Sequence, residues 1–353
     1  MGKLGVALNR GHSNCLAASL VGDGLHGNNI FDLGSSGNRD GCFEPYVLLR
    51  KMFLKHGVEL NTADVNPGEQ LRFELHMDAQ QGYSGRNPAF AVLYEAPQIK
   101  SHNQKLSLLA RYRRVFTWRD DLTDGQKYIQ IHLPNKILVN NSRGWGGRHK
   151  LCCMIASNKA AARDSPLLLY SERVAVIRWF EQHAPHDFDL FGVGWDRPAA
   201  SSRLVSKAIS KLRNFAPVHP DEVFFPSYRG KVISKFDTFQ NYRFSICYEN
   251  VQKLPGYITE KIFDSFSGGC VPVYWGASNI NVYVPEDCFI DRRKFASNSE
   301  LHTFLASMTE SKYTAYQERI AAFQSSGRAQ PFSAETFAAT IVNTIVSDLG
   351  IEA

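Results

Sequence analysis

The sequence predicts an α/β protein in which buried strands alternate with helices. Residues 244–248 and 271–275 form two apolar runs, FSICY and VPVYW, and runs of this length suit strands buried on both faces. Between them, Thr259 is a candidate N-cap for a helix whose apolar residues Ile262, Phe263 and Phe266 fall on one face. This order of strand, helix and strand is typical of parallel sheets that bind ligands beyond the carboxyl ends of their strands.

The remaining elements extend the same pattern along a chain of 353 residues, a length that favours two domains. Residues 1–40 are rich in Gly, Asn and Ser, and their sequence pattern does not assign a helix or strand. The Gly- and Arg-rich residues 140–150 are the linker candidate, after which residues 151–156 open a second α/β unit. Further predicted elements are helices at 46–56, 174–180 and 334–349, and strands at 73–77, 89–93, 112–118, 128–133 and 188–195.

Composition and charge exclude several classes of protein. Hydrophobic residues make up 44% and charged residues 21% of the chain, which is ordinary for a globular protein. The net charge of +6 comes from scattered Lys and Arg, without zinc-finger spacing or an aromatic RNA-binding box. We therefore expect no nucleic-acid partner, since a modest positive surplus equally suits an enzyme that binds a nucleoside diphosphate.

The cysteines and the N-terminal residues predict a cytoplasmic protein. The seven cysteines are an odd number and form no C-x-x-C pair, which favours a reducing compartment. Polar residues 9–14 interrupt the apolar patches near the start of the chain, so we expect no signal peptide. No apolar run approaches the ~18 residues that a membrane-spanning helix needs.

The predicted helix start at Thr259, Glu260 and Lys261 is a candidate anion site. Free N–H groups and the positive end of the helix dipole attract an anion, and Lys261 adds a full charge beside them. A diphosphate would fit there, with Glu260 accepting hydrogen bonds from sugar hydroxyls. A capped surface helix with an ordinary Glu and Lys explains the same residues equally well.

Carboxylates elsewhere are candidates for other chemistry. A strand candidate at residues 90–94 runs into Glu95, and Pro97 follows closely, which would hold the Glu95 side chain at the mouth of a cleft. A solvated Glu paired with a nearby Arg is the competing interpretation. Asp187 and Asp189 form a D-x-D that would share one strand face, but they sit at the start of the strand, away from the expected cleft. We therefore predict no metal site there.

Four sub-motifs follow one another between Phe244 and Asp291. They read FSICYEN, YITEK, VPVYWG and PEDCFID. In this order they resemble the donor-binding signature of the α1,3/4-fucosyltransferases, glycosyltransferase family ten. A lone TEK would carry little weight, whereas four ordered sub-motifs are a specific signal. The resemblance covers the second half of the chain well and the first half weakly, through Glu95 and Pro97.

The resemblance implies the fold called GT-B, in which two Rossmann-like domains face each other across a cleft. We expect an acceptor-binding domain over residues 1–150 and a GDP-fucose-binding domain over residues 151–330. Residues 331–353 would contain a final helix that packs back on the first domain.

The resemblance also implies inverting α1,3- or α1,3/4-transfer of L-fucose from GDP-β-L-fucose. The acceptor would be an N-acetylglucosamine or glucose hydroxyl of a glycan such as N-acetyllactosamine or lactose. A catalytically silent glycan- or nucleotide-binding protein, or a GT-B transferase that uses another nucleotide sugar, remains an alternative.

Site residues are carried over from the family pattern position by position. Glu95 corresponds to the general base. Arg173, with Arg163 as competitor, corresponds to the arginine that neutralises the β-phosphate; a surface arginine paired with Glu172 or Glu181 would explain Arg173 equally well. The donor-binding candidates are Arg173, Glu249, Asn250, Tyr257, Thr259, Glu260 and Lys261, with Ser157, Asn158 and Lys231 as further candidates.

The resemblance implies no required cofactor, with a divalent metal at most stimulatory. It also implies a soluble, cytoplasmic protein of the bacterial type, because no anchor, C-terminal heptad repeat or basic amphipathic tail is visible in the sequence. Peripheral membrane contact is not indicated.

Overall fold

The described residues of this computed structural model, 15–66, 70–139, 144–159, 165–197 and 224–351, form two parallel β-sheets flanked by helices. Every strand pairing between the named strands is parallel. The strands are β1 (Leu16–Val21), β2 (Val58–Thr62), β3 (Phe73–Met77), β4 (Ala89–Leu93), β5 (Val115–Thr117), β6 (Tyr128–Gln130), β7 (Lys150–Ile155), β8 (Phe188–Phe191), β9 (Tyr242–Tyr248), β10 (Val271–Trp275) and β11 (Ile290–Asp291).

Both sheets are doubly wound. The first has the order β2-β1-β3-β4-β5-β6 and the second the order β11-β10-β9-β7-β8. In each sheet the strand order reverses after the first strand, which creates a switch point between β1 and β3 and another between β7 and β9. Ligands of open α/β sheets bind outside the carboxyl ends of strands at such points.

Helices join and cover the strands. They are α1 (Glu44–Lys55), α2 (Leu106–Leu109), α3 (Tyr170–His183), α4 (Lys235–Phe239), α5 (Glu260–Ser267), α6 (Ile280–Tyr283), α7 (Asn298–Ala306), α8 (Glu310–Gln324) and α9 (Ala334–Leu349). No helix among the described residues is long and apolar enough to cross a membrane.

The final helix α9 returns to the first sheet. Its buried residues Ile341 and Ile345 belong to the same core cluster as Phe53 of α1 and Phe73 of β3. Its carboxyl end is held by Arg114, whose guanidinium donates to both carboxylate oxygens of Asp348 at 2.6 and 2.7 Å. The last element of the chain therefore completes the core of the first α/β unit.

A small aromatic contact joins the two units. The rings of Trp118, after β5, and Tyr257, before α5, lie with centroids 4.7 Å apart, and both side chains are buried. Asp120 crosses the same boundary by accepting hydrogen bonds from Asn279 Nδ2 at 2.7 Å and Tyr283 Oη at 2.6 Å. A Cβ at Gly256 would overlap the Trp118 carbonyl oxygen, so the backbones there approach as closely as glycine allows.

Most predicted elements have the expected type, but several bounds differ from the structure. The strands predicted within 128–133 and 188–195 end earlier, at Gln130 and Phe191. Strand β1 lies within the stretch that received no element, although it pairs with both β2 and β3. The predicted strand 112–118 is reduced to Val115–Thr117. The predicted linker contains a short turn of 3₁₀ helix at Trp145–Gly147, and its residues 140–143 lie outside the described part. The division at residues 150 and 330 stays a prediction.

Candidate active site

A cavity of about 460 Å³ lies between the two sheets, at the switch point between β7 and β9. Volumes of this size are typical of small-ligand sites. Its walls come from both units: Tyr94 and Glu95 follow β4, whereas Ser157 and Asn250 follow β7 and β9. Among the described residues that line it, six are Lys or Arg and four are Asp or Glu. This surplus of positive charge suits an anionic ligand.

Glu95 lies in the wall contributed by the first unit. Its backbone N–H donates to Asp78 Oδ1 at 3.0 Å, and the N–H of Tyr94 donates to the same oxygen at 2.7 Å. Burial, and then the negative charge of Asp78, raise the pKa of the Glu95 carboxyl, while Lys159 and Lys261 oppose the shift. A carboxylate tuned upward in this way is a stronger base than a solvated one.

Glu249 lies beneath the wall contributed by the second unit. Its side chain is fully buried, and its two oxygens accept from the Thr259 backbone N–H at 2.8 Å, the Thr259 hydroxyl at 2.7 Å and Lys261 Nζ at 3.2 Å. Glu249 is not among the residues that line the cavity. Glu249 thus holds the start of α5, and its direct contact with the donor stays a prediction.

Thr259 lines the cavity at the start of α5, as expected of a donor-site candidate. It occupies the N-cap position of α5, but its side chain makes no capping hydrogen bond to the helix backbone. Its hydroxyl donates to Glu249 and accepts from Lys261 Nζ at 2.9 Å. Because the cap is not closed by a side chain, the first N–H groups of α5 keep their capacity to bind an anion.

Lys261 and Glu260 form the charged start of α5. Lys261 Nζ lies 3.5 Å from Glu260 Oε1, and half of the Glu260 side chain is accessible. Burial lowers the pKa of Lys261, but Glu249 and Glu260 outweigh it and raise that pKa. The surrounding protein opposes ionisation of Glu260, but Lys261 and Lys235 lower the pKa of its carboxyl to about 2. Both groups are thus charged at neutral pH.

Arg173 is buried in the cavity wall and pairs with neither Glu172 nor Glu181. Its Nη2 donates to the Tyr248 carbonyl at 2.6 Å and to Asn250 Oδ1 at 2.9 Å. Burial lowers the pKa of the Arg173 guanidinium, and the nearby Tyr170 and Glu249 oppose part of this decrease. Arg173, Asn250 and Tyr257 all line the cavity. The competing residue Arg163 lies outside the described residues.

The further candidates divide between the cavity and its support. Ser157 and Lys231 line the cavity. Asn158 does not, because its Nδ2 donates to the Gly194 carbonyl at 2.9 Å and the Arg197 carbonyl at 2.8 Å. Asn158 thus fixes the loop after β8, and its contact with the donor stays a prediction.

The two aspartates of the D-x-D are engaged separately. Asp187 lies 2.7 Å from Nε2 of His302, whereas Asp189 contacts Lys150, Arg229 and Tyr242. The expectation that they share one strand face is wrong, because β8 begins at Phe188 and leaves Asp187 outside the strand. Among the described residues, no group of three or more His, Cys, Asp or Glu side chains is arranged to hold a metal ion.

Three residues around the cavity were missed by the sequence analysis. Asp78 follows β3 at the same edge as Glu95, so its position after a neighbouring strand was a usable signal. Asp264 lies one turn beyond Glu260 on α5. Asp40 lies on a loop of the first unit that gives no periodic pattern, so no signal in the sequence pointed to it.

A family model and several relatives match this chain. The model of glycosyltransferase family 10 (fucosyltransferase), C-terminal part, matches residues 145–330. An alpha-(1,4)-fucosyltransferase of Arabidopsis thaliana is 40% identical over 65 residues, which are 18% of this chain and 16% of that protein. The alpha-(1,3)-fucosyltransferase 7 of Mus musculus is 29% identical over 151 residues, 42% of this chain and 31% of that protein. The matched segments thus span less than a third of these relatives.

Solved structures resemble the whole described architecture at low sequence identity. A crystal structure of alpha1,3-fucosyltransferase with GDP-fucose has a TM-score of 0.53 and 13% identity, and the match covers 98% of this chain and 93% of that one. A glycosyltransferase from Rickettsia africae has a TM-score of 0.55 and 8% identity, covering 97% and 100%. The predicted fold, two facing Rossmann-like domains of the GT-B type, is confirmed.

Proposed function

Because this chain belongs to glycosyltransferase family 10, the fucosyltransferase family, we propose that it transfers L-fucose from GDP-β-L-fucose to a sugar hydroxyl. The proposed acceptor is an N-acetylglucosamine or glucose unit of a glycan such as N-acetyllactosamine or lactose. One observation carries the proposal: a carboxylate with a raised pKa, Glu95, and the charged start of α5 face a single cavity from opposite units.

The second unit supplies the donor site. The diphosphate of GDP-fucose binds at the start of α5, where Lys261 and the open N–H groups favour negative charge. Arg173 adds a second cation, already fixed by the Tyr248 carbonyl and Asn250. These groups stabilise the charge that grows on departing GDP. Tyr257 and Asn250 contact the nucleotide, and Ser157 and Lys231 extend its site.

Glu260 serves the sugar end of the donor. Its carboxylate is ionised, half accessible and beside Lys261, so it accepts hydrogen bonds from fucose hydroxyls. Glu249 is buried behind these residues and holds Thr259 and Lys261 in position.

Glu95 acts as the general base. Its carboxylate takes the proton of the acceptor hydroxyl while that oxygen attacks the anomeric carbon, and GDP leaves from the opposite face. One such displacement converts the β-linked donor into an α-linked product, so the transfer inverts configuration. A positioned base of this kind contributes roughly 10²- to 10⁴-fold in rate.

The proposal extends to the organisation of the chain. Residues 1–150 bind the acceptor, residues 151–330 bind GDP-fucose, and residues 331–353 complete the first domain. The protein is of the bacterial type and acts in the cytoplasm. It requires no metal, because Lys261 and Arg173 neutralise the diphosphate.

Product analysis tests this proposal. Purified protein is incubated with GDP-fucose and either N-acetyllactosamine or lactose, with EDTA or Mn²⁺ in parallel, and the product is examined by NMR. We expect an α-fucosylated product in both metal conditions, with the linkage read from the shifted carbon. GDP-mannose and UDP-glucose are the matched controls. Transfer from either of these, with none from GDP-fucose, would contradict the donor assignment.

A further inference from the structure

A loop of the first domain crosses to the donor side of the cavity. Gly37, Arg39, Asp40 and Cys42 line the cavity wall before α1. Asp40 has a positive φ of 54°, and its Oδ1 accepts a hydrogen bond from the backbone N–H of Lys235 at 3.0 Å. The first residue of α4 is therefore tied to the opposite domain.

Lys235 is also tied to α5. Its Nζ lies 2.6 Å from Asp264 Oδ2, and both side chains are under a third exposed. Asp264 is four residues beyond Glu260, so the two carboxylates share one face of α5. Lys235, Glu260 and Asp264 all line the cavity. The ammonium group of Lys235 thus pairs with a carboxylate on the same face of α5 as Glu260.

The charge of Lys235 reaches Glu260. After the opposing effect of burial, Lys261 and then Lys235 lower the pKa of the Glu260 carboxyl. Burial and Glu260 raise the pKa of Asp264 to about 6, although Lys235 opposes the shift. The charged and titratable groups that act on Glu260 or feel its charge are Lys261, Asp264, Lys235, Arg173, Tyr257 and Glu95.

We propose that Lys235 is a positioning residue for the donor sugar, which acts through Glu260 and is itself held in place by Asp264 and Asp40. The inference rests on the proposed function, because it assigns Glu260 to the fucose hydroxyls. It predicts that Lys235 supports binding of the fucose part of the donor much more than binding of the nucleotide part. It also makes the contact between the domains part of the donor site.

Calorimetric titration with GDP and with GDP-fucose tests the inference. Lys235→Met keeps the apolar stem and removes the charge. We expect it to weaken GDP-fucose binding about tenfold or more, the size of one hydrogen bond to a charged group, while GDP binding changes less than about threefold. Lys235→Arg restores the charge and should recover most of the affinity for GDP-fucose. Circular dichroism checks that each variant is folded.

A double variant separates positioning from simple ion pairing. Lys235→Met leaves Asp264 without its partner, and Lys235→Met combined with Asp264→Asn removes that unpaired charge. We expect the double variant to remain weak for GDP-fucose, because Glu260 keeps Lys261 but still lacks the charge of Lys235. Recovery to the affinity of the parent would overturn the inference, as would an equal loss of GDP and GDP-fucose binding in Lys235→Met.

Two variants of Asp40 test its hydrogen bond to the backbone of Lys235. Asp40→Asn keeps an oxygen acceptor and a residue that tolerates positive φ, whereas Asp40→Gly keeps the φ and loses the acceptor. We expect the KM for GDP-fucose to rise more in Asp40→Gly than in Asp40→Asn; equal KM values in the two variants would contradict the role of Asp40 as a hydrogen-bond acceptor for Lys235. A parent protein that fails to prefer GDP-fucose over GDP-mannose would overturn the proposed function and this inference together. A normal parent with unaffected Lys235→Met protein overturns this inference alone.

Discussion

Asp78 Oδ1 accepts a hydrogen bond from the backbone N–H of Glu95 at 3.0 Å. The carboxylate that follows β3 therefore fixes the backbone of the Glu95 carboxylate that follows β4. The same oxygen accepts from Tyr94 N at 2.7 Å and from Asn103 Nδ2 at 2.7 Å. Asp78 thereby sets both the position of Glu95 and part of its electrostatic surroundings.

The pH dependence of transfer should report the raised pKa of Glu95. The base is active when ionised, so kcat/KM should fall as pH falls through that pKa, and its half-maximal point should lie above 4.5, the ordinary value for Glu. The check is kcat/KM for the acceptor across the acid range at constant ionic strength, with circular dichroism at each pH. A half-maximal point at or below the ordinary value would contradict the assignment.

Asp78→Asn should shift that acid limb to lower pH. The amide keeps an oxygen acceptor for the three N–H groups but removes the negative charge that raises the pKa of Glu95. Because a less basic carboxylate is a weaker catalyst, the plateau rate should fall by less than about tenfold. The measurement is the pH profile of the variant beside that of the parent.

Asp78→Ala is the matched control for this shift. Asp78→Ala leaves the N–H groups of Tyr94, Glu95 and Asn103 without an acceptor. It should therefore lower the free energy of unfolding by about 1–3 kcal/mol. An acid limb that stays in place in Asp78→Asn would show that Asp78 does not tune the base.

Glu249→Gln should destabilise the protein by about 1–3 kcal/mol, because a fully buried charged acceptor of three hydrogen bonds is replaced by an amide with one oxygen. It should also weaken GDP binding, since Thr259 and Lys261 lose the carboxylate that holds them in position at the start of α5. Urea denaturation and calorimetry measure the two effects.

Glu260→Gln provides the comparison for Glu249→Gln. Its side chain is half accessible, so it should lower the unfolding free energy by less than Glu249→Gln does, while still weakening GDP-fucose binding. Equal stability losses in the two variants would argue against a supporting role for Glu249.

Gly256→Ala should disturb the boundary between the domains. Gly256 has φ 80°, and a Cβ there would overlap the carbonyl of Trp118. Gly85 has φ 78° with open space around it, so Gly85→Ala isolates the cost of the backbone conformation, about 1–2 kcal/mol. We expect a larger loss of stability in Gly256→Ala, with weaker GDP binding because Tyr257 is the next residue. Indistinguishable unfolding curves for the two variants would contradict this account of the boundary.

Elements with a strong local pattern could be predicted from the sequence. The final helix begins and ends at the predicted residues, Ala334 and Leu349, because its apolar face is regular and Gly350 follows it in a left-handed conformation. Strand β10 coincides with the apolar run 271–275. Strand β1 was missed because its small residues Ala17, Ala18 and Ser19 give a weak apolar signal, and only pairing with β2 and β3 identifies it.

The site was predictable where function depends on strand ends and helix starts. Glu95, Arg173, Glu260 and Lys261 all line one cavity, and the resemblance to the family, rather than residue spacing, had singled them out. The burial of Glu249 was not predictable, because its partner Thr259 lies ten residues further on and local pattern does not reveal which carboxylate turns inward. Contacts between the domains, such as Asp40 with Lys235, depend on how the two sheets face each other.

The most direct test of the central claim is the rate of GDP release from GDP-fucose with N-acetyllactosamine, measured for the parent protein and for Glu95→Gln. We predict acceptor-dependent release by the parent and a fall of about 10²- to 10⁴-fold in the variant, with GDP binding retained. A variant that releases GDP as fast as the parent would contradict the assignment of Glu95. A parent protein that neither binds GDP nor releases it would contradict the fucosyltransferase site itself.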